Sequence, residues 1–545
     1  MSEHTLRPPG RSLRETVLQA AMQILDSDGL LLGAESISYA KVFAHLEETY
    51  GARVTRGSVH ERIWASHDDF RREVLAEAVA LYPEDYVLAV GRGLEATKEL
   101  ARSDLPPERM VGELSRRLAP ILIEEMLDSP DVKRIQSVKA MASRFNDPET
   151  FDQLSGMLRA RSDERLAARR SGFQLMAQAL GFGPRATLGL STDEASDLFY
   201  SSMWALTTGG FLNASAGCDA VLEPVDSDLG VPGDQGWNVL GVGLRAVIDF
   251  LVEPTGQPVD RTTMEAVGSV SAGLSSGEYV RPAQLVDPSG LDGGRRSRSE
   301  LKQLVLGGAV EMLMRDGLNL RPESLSYAAV FAKVKEDHGL VVNRASVHRR
   351  FWSSHEEFCL EVLALALLAD APPDDAIEEA LTPPAAVRGD RPPDRVVVVR
   401  DLMRAFGQAS LDQVVNSPVM RRRLLIKACL AEQPDGRAKD LVCDAVVTTD
   451  RAMMARRAAL VGSALIANGY QVRPELHLAE NDALGIMAAL IHTAVSGIAF
   501  DVVCGSSLGG PVVDLGDGQS GTTTSWSTIS VITLAVFDSL FRPKD

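Results

Sequence analysis

The sequence predicts an all-α protein built from two tandem copies of one unit, and three observations carry the prediction. Residues 13–78 recur at 301–366 without a gap, at a constant shift of 288, with about half of the positions identical. Apolar residues follow helical spacing in both copies, and Pro- and Gly-rich joints separate these stretches. A low aromatic content of 5% beside abundant Ala, Leu, Val and Gly is typical of tightly packed helices. Because solenoid repeats run roughly 20 to 50 residues, a shift this long indicates a duplicated domain.

The repeat also predicts the domain organisation. At 545 residues the chain has room for about four domains, which fits two copies of a two-part unit. We expect two heads at 10–80 and 298–368, two helical bodies at 81–256 and 369–545, and a Gly-, Ser- and Pro-rich linker at 257–297. Two related copies in one chain are what a homodimer becomes when its genes fuse. We therefore expect a monomer with an intramolecular pseudo-dimer interface.

Two apolar helices close each copy, at about 193–215 with 237–252 and at about 481–503 with 526–541. Small residues such as Gly497 would permit close approach of these helices. The two pairs predict an intramolecular four-helix bundle.

One apolar stretch, residues 484–504, has nearly the length that crosses a bilayer. Its counterpart around 198–217 carries several Ser and Thr residues and Asn213. A buried interface helix explains both copies, whereas a membrane span explains one, so we expect no membrane partner. The polar N-terminal stretch lacks the apolar segment of a signal peptide, which predicts a cytoplasmic protein.

Each head has the pattern of three short helices. Residues 14–28 have apolar positions at helical spacing, and Ser36 or Ser38 can cap a second helix, which Gly51 ends. A short element at 56–64 follows, and Ser66 is placed to cap the helix after it. Three helices with a tight turn between the second and third form a helix-turn-helix module.

The heads resemble those of the tetracycline-repressor (TetR) family of bacterial regulators. Where that family has Val-Ser-Lys-Gly-Thr-Leu-Tyr, the copies have Val54-Thr55-Arg56-Gly57-Ser58-Val59-His60 and Val342-Asn343-Arg344-Ala345-Ser346-Val347-His348. Where it has Ser-Lys-Glu-x-Leu, they have Ser66-His67-Asp68-Asp69-Phe70 and Ser354-His355-Glu356-Glu357-Phe358. The chain departs from the family at His60 and His348, where the family has Tyr, and at His67 and His355, where it has Lys. One extra residue also separates the two stretches.

The resemblance implies a three-helix DNA-binding head, a connecting fourth helix, and an all-helical body with a ligand pocket and a dimer interface. It implies that an effector in the body tilts the fourth helix and changes the separation of the two recognition helices. These must lie about 34 Å apart to meet successive major grooves. The prediction is a transcriptional regulator, a ligand-responsive repressor whose partners are double-stranded DNA and a small-molecule effector. The alternative is a helical sensor or interaction protein whose heads have lost DNA binding.

Recognition helices contact base edges through polar side chains near their N-termini, while Arg, Lys and helix-end amides hold phosphates. The candidate DNA-binding residues are Thr55, Arg56, Ser58, His60, Arg62, Asn343, Arg344, Ser346, His348, Arg349 and Arg350. They could instead be solvated residues of a short surface helix. Against this, Arg, Ser and His recur at the same positions while Glu61 has become Arg349. The divergence predicts an operator that is an imperfect inverted repeat, with copy two contributing more of the affinity.

The net charge of −18 argues against a nucleic-acid partner, but its distribution weakens the objection. Residues 1–75 carry a net charge of −2 and residues 289–363 a net charge of +1. Two basic stretches resemble arms that reach a minor groove: Arg7, Arg11 and Arg14 before the first head, and Arg295-Arg296-Ser297-Arg298 before the second. An ordinary charged segment end explains them equally well.

The match to an enzyme motif lacks the secondary structure that the motif requires. Residues 505–509 match GxSxG, but that motif needs a strand before it and a helix after it. An apolar helix precedes this match, and the equivalent stretch of copy one has no serine. The five cysteines show no CxxC pairing, which predicts reduced core residues. We expect no catalytic residue, no cofactor and no metal.

Overall fold

The computed structural model repeats one series of elements in the two halves of the chain. It describes residues 12–28, 37–59, 62–80, 96–100, 102–142, 151–159, 173–174, 177–178, 180–225, 236–257, 260, 297–315, 325–342, 347, 350–352, 354–369, 374–382, 395–431, 436–505, 513–516 and 523–544. Helices dominate these residues, which confirms the all-α prediction.

The first half contains eight named helices and four short strands among the described residues. They are α1 Leu13–Asp28, α2 Tyr39–Tyr50, α3 Arg56–Val59, α4 His67–Ala80, α5 Pro107–Asp128, α6 Pro130–Ala142, β1 Phe182–Pro184, α7 Thr192–Ser215, β2 Pro224–Val225, β3 Trp237–Asn238, α8 Val239–Leu251 and β4 Val252–Pro254. Residues 151–159 are also helical.

The second half follows the same order. Its elements are α9 Ser297–Arg315, α10 Tyr327–His338, α11 His355–Ala369, α12 Asp375–Leu381, α13 Arg395–Asn416, α14 Pro418–Leu430, α15 Arg437–Ala467, β5 Tyr470–Val472, α16 Glu480–Val503, β6 Val513–Gly516, β7 Thr523–Trp526, α17 Thr528–Leu540 and β8 Phe541–Pro543. Helices α10, α13, α14 and α16 begin and end 288 residues after α2, α5, α6 and α7, whereas α17 follows α8 by 289 residues. The one-residue slip therefore lies between the two closing helices.

Helix ends in the heads form as their sequence predicts. The Ser38 side chain caps α2 by accepting from the Lys41 N–H, and Gly51 ends this helix in the left-handed conformation at φ +63°. Ser66 caps α4 through the Asp69 N–H at 3.0 Å. In copy two Ser326 caps α10, and Gly339 ends it at φ +66°. The third element differs from its prediction, because α3 covers one turn of the expected 56–64.

Four two-stranded antiparallel ribbons lie beside the closing helices, where the sequence predicted helices and joints but no strand. Strand β1 pairs with β4, and β5 pairs with β8, so each ribbon ties the end of a closing helix to the segment before its partner helix. The other two ribbons, β2 with β3 and β6 with β7, lie between the closing helices. Strands of two to four residues show no alternating pattern long enough to detect, so periodicity missed them.

The closing helices α7, α8, α16 and α17 pack against one another as a four-helix bundle, which confirms that prediction. Gly209 of α7 lies against the Thr493 backbone, and Gly497 of α16 lies against the Ala205 backbone. Among the described helices, α16 alone has the length and hydropathy of a membrane span, and 94% of its apolar window is buried inside the protein. Burial against α7 accounts for its apolar sequence.

Candidate nucleic-acid interface

Aromatic side chains form the core of each head. Trp64 and Phe70 meet edge to face with centroids 4.8 Å apart, and Tyr39 stacks on Phe70 at the same distance. In copy two, Trp352 and Phe358 meet edge to face at 4.8 Å. Val59, Trp64, Val347 and Trp352 are buried as well. Ile63 and Phe351 are half-buried and pack against this core.

A hydrogen-bonded lock joins three parts of each head. In copy one the Trp64 indole donates to Glu73 at 2.6 Å, and Arg14 forms an ion pair with the same carboxylate at 2.7 Å. In copy two Trp352 donates to Glu361 at 2.6 Å, and Lys302 pairs with that carboxylate at 2.8 Å. The lock connects the first helix, the segment after α3, and α4. Sequence reasoning missed it, although the cation, tryptophan and glutamate recur at the 288 shift.

Arg14 therefore has a structural contact that its assignment to a basic arm did not anticipate. Its guanidinium pairs with Glu73 while 57% of the side chain stays exposed. The lysine at the same place in copy two, Lys302, also lies 5.5 Å from the Trp352 ring centroid. The arm residues before position 12 and at 295–296 lie outside the described residues.

The described candidate residues divide into a surface set and a capping pair. Arg56, Arg62 and Arg350 are exposed. Thr55 and Ser58 cap the N-terminus of α3. The Ser58 hydroxyl donates to the Thr55 carbonyl at 2.7 Å and accepts from the Thr55 N–H at 3.2 Å. The Ser58 hydroxyl is thus engaged locally. The remaining candidates lie outside the described residues: His60, Asn343, Arg344, Ser346, His348 and Arg349.

His67 and His355, which stand where the resembling family has lysine, pack inside the heads. The His67 ring lies 4.7 Å from the Tyr39 ring, and burial lowers its pKa, an effect that Arg71 reinforces. His355 Nε2 lies 3.2 Å from the Leu325 carbonyl oxygen. His67 therefore joins the start of α4 to the start of α2, and His355 joins the start of α11 to the segment before α10.

The described contacts between head and body include those between α4 and α6 in copy one and those between α11 and α15 in copy two. Near the end of α11, the Leu367 carbonyl accepts from the buried Arg423 of α14 at 3.3 Å and from Thr449 of α15 at 3.5 Å. Position 135, which corresponds to Arg423, is an isoleucine. The second head is therefore tied to its body by a hydrogen bond from Arg423, at whose position copy one has an isoleucine.

A cavity of about 50 Å³ lies in the first body between α5, α7 and α8. Its walls include Leu118, Ile248 and the stacked rings of Phe173 and Phe199, whose centroids are 3.9 Å apart. Ser115 also lines it, but its hydroxyl donates to the Val111 carbonyl at 2.9 Å. The surface that faces the cavity is therefore apolar.

Larger buried side chains occupy several corresponding positions of the second body. Phe406 corresponds to Leu118, Phe537 to Ile248, Phe541 to Val252 and Met403 to Ser115. The Phe537 and Phe541 rings stack with centroids 6.0 Å apart. At three other positions the first body has the larger side chain: Phe173, Phe199 and Leu122 correspond to Val461, Met487 and Ser410. The two bodies have thus diverged around this space.

No protein-family model matches the chain, and no curated protein matches it in sequence.

All five cysteines are free, and four of them are buried, as expected of core thiols. Within the described parts of the chain, no three His, Cys, Asp or Glu side chains lie together in a group that could hold a metal ion.

Proposed function

We propose that this chain is a DNA-binding transcriptional regulator, a ligand-responsive repressor that binds an imperfect inverted repeat as a single-chain pseudo-dimer of two TetR-like units. The observation that carries the proposal is the pair of heads. In the described residues both have the same first, second and fourth helices, the same serine caps and the same cation–Glu–Trp lock, in a chain whose bodies have diverged. Retention of the lock in both copies supports a function that needs two heads.

The surface of each head supports contact with phosphates. Arg56 begins α3, Arg62 follows it within one turn, and both are exposed. Arg350 is exposed at the position of copy two that corresponds to Arg62. Guanidinium groups at such positions would hold the backbone on either side of a groove, while the acidic bodies lie elsewhere in the sequence.

The cavity of the first body supports an effector with an apolar group. A neutral apolar group would enter it without loss of hydrogen bonds, because its walls offer no unpaired donor or acceptor. Its walls belong to α5 and to the bundle helices α7 and α8, so occupancy would act on the helices that join the two copies.

Selection of random duplex DNA by the full chain at two salt concentrations tests the proposal. We expect an enriched inverted repeat and an affinity that falls steeply with salt, because phosphate contacts release counterions. Arg56→Ala and Arg62→Ala should weaken binding, whereas Arg53→Ala should not, since Arg53 is an exposed residue of the same head that pairs with Glu47. If no sequence is enriched, the alternative of a sensor or interaction protein, which the net charge of −18 favours, replaces the proposal.

A further inference from the structure

A cluster of buried charged and polar side chains lies where the first body meets the second. Lys139 of α6 has its Nζ 3.6 Å from Oδ1 of Asp501 on α16, and the Lys139 and Asp501 side chains are 3% and 0% exposed. Trp204 of α7 donates to Oδ2 of Asp501 at 2.6 Å. The lysine of copy one is therefore neutralised by a carboxylate of copy two.

A second cluster surrounds Lys427 of α14. Its Nζ donates to Asn213 Oδ1 of α7 at 2.8 Å and lies 2.5 Å from Oδ2 of Asp450 on α15. His492 Nε2 lies 3.3 Å from the same Asp450 oxygen. This lysine contacts the other copy through an amide and takes its carboxylate from its own copy.

The shift of 288 relates the two clusters residue by residue. It pairs Lys139 with Lys427, Trp204 with His492, and Asn213 with Asp501. In both clusters the lysine faces position 213 or 501 of the opposite copy. Where that position is Asn213, the missing charge comes from Asp450, and position 162, the counterpart of Asp450, is a serine. Among the described residues, each cluster thus holds one lysine and one carboxylate.

We propose that the two bodies form a heterotypic interface in which each body accepts the other and rejects a second copy of itself. Two first bodies would place Lys139 opposite the neutral amide of Asn213 in both clusters, so neither cluster would hold the carboxylate that Asp501 supplies. Two second bodies would place Lys427 between Asp450 and Asp501 in both clusters, which gives two carboxylates for each lysine. Buried charges that lack a partner are strongly destabilising. The pairing of unlike bodies, in which the charges balance, is therefore more stable than either pairing of like bodies. The partner that fits this surface is the other half of the same chain.

Substitutions that remove the carboxylate of the second cluster, add another, or do both test the charge balance in the full chain. At pH 8, where His492 is neutral, Asp450→Asn removes the carboxylate and Asn213→Asp adds a second one. Each single variant should lower the melting temperature by on the order of 5 °C, because each leaves a buried charge uncompensated. The double variant carries one carboxylate, on the position that already contacts Lys427, and should recover most of the loss.

Additive losses in the double variant would overturn the proposal. If Asp450→Asn alone does not fold, a folded double variant supports the proposal and an unfolded one overturns it. At the first cluster, Asp501→Asn should cost more stability than Lys139→Met with Asp501→Asn, because the double variant buries no ammonium group.

Pairing itself can be measured on the folded protein. A protease site placed within 257–297 allows the intact chain to be cut after folding, and native mass spectrometry then reports which pieces associate. We expect the unlike pair alone. Detection of like pairs at comparable abundance would contradict the inference. None of these readouts involves DNA, so their outcome is independent of the proposed function.

Discussion

Gly209 of α7 faces the carbonyl oxygen of Thr493 on α16 so closely that a β-carbon at Gly209 would overlap it. The relationship is reciprocal, because a β-carbon at Gly497 would overlap the carbonyl oxygen of Ala205. Ala205 and Thr493 are related by the same shift of 288 as the two glycines. One shift of 288 therefore relates both of these close contacts between α7 and α16.

Gly209→Ala should destabilise the chain by about 1–3 kcal/mol or more, since the clash is with backbone and α7 would have to move away from α16. Gly485 on the same α16 helix supplies the control, because a β-carbon there would meet nothing within 4 Å. Gly485→Ala should be stabilising by up to about 1 kcal/mol through helix propensity. Chemical denaturation of both variants measures the difference, and similar midpoints would show that the close contact does not constrain the bundle.

Glu361→Ala should destabilise the second head by about 1–3 kcal/mol, because it removes the acceptor of the Trp352 indole, whose ring is 1% exposed. The variant also leaves Lys302 without this ion pair. Glu47→Ala is the matched surface control, since its partner Arg53 has 81% of its side chain exposed. Hydrogen exchange of the amides of α9 and α11 reports the loss. Equal protection in the two variants would rule out the lock as a determinant of head stability.

Acid should destabilise the chain through His492. Burial lowers the pKa of its imidazole, Asp450 opposes this effect and Lys427 adds to it. The unfolded chain takes up a proton near the ordinary imidazole pKa of about 6.5, whereas the folded site resists it. Stability is therefore unaffected by this group at higher pH and declines as the pH falls below about 6.5.

The urea midpoint should accordingly drop between pH 7.5 and pH 5.5, and His492→Gln should reduce that drop. His67, whose pKa burial also lowers, accounts for part of what remains. The exposed His338 provides the control, and His338→Gln should keep the dependence of the wild type. A wild-type midpoint that does not change over this range would contradict the assignment.

The cavity of the first body should take up xenon under pressure, because it is lined by apolar side chains, mainly of α5, α7 and α8. Leu118→Phe introduces the residue that copy two has at the corresponding position, Phe406, and should abolish the xenon signal in the crystal or by NMR. The reciprocal variant Phe406→Leu should leave the signal of the first site unchanged. Xenon uptake by Leu118→Phe at the wild-type level would show that the cavity is not the site.

Features set by local sequence were predictable. The cap at Ser38, the left-handed Gly51 and the borders of the closing helices depend on residues within one or two turns, which periodicity and capping patterns report. The repeat added the pairing of the bundle helices, because it identified α7 and α16 as equivalent.

Features set by distant contacts were not predictable from one sequence. The lock between Arg14, Trp64 and Glu73 forms when three segments meet, and none of the three residues is unusual by itself. Asp501 and Lys139 are ordinary charged residues until the bundle buries them together. For the candidate site, Ser58 shows the same limit, since its recurrence suggested DNA contact while the hydroxyl caps α3.

The spacing of half-sites tests the central claim, that one chain presents two heads to DNA, most directly. Once an operator is selected, the complex should contain one chain per duplex by mass. Insertion of five base pairs between the half-sites turns one half-site to the opposite face of the DNA. Two heads on one chain cannot reach both faces, so the affinity should fall by about a hundredfold or more. Arg62→Ala and Arg350→Ala should each weaken binding to the parent site, with the larger loss from Arg350→Ala. Binding that is insensitive to the insertion, or that places two chains on each site, would contradict the account.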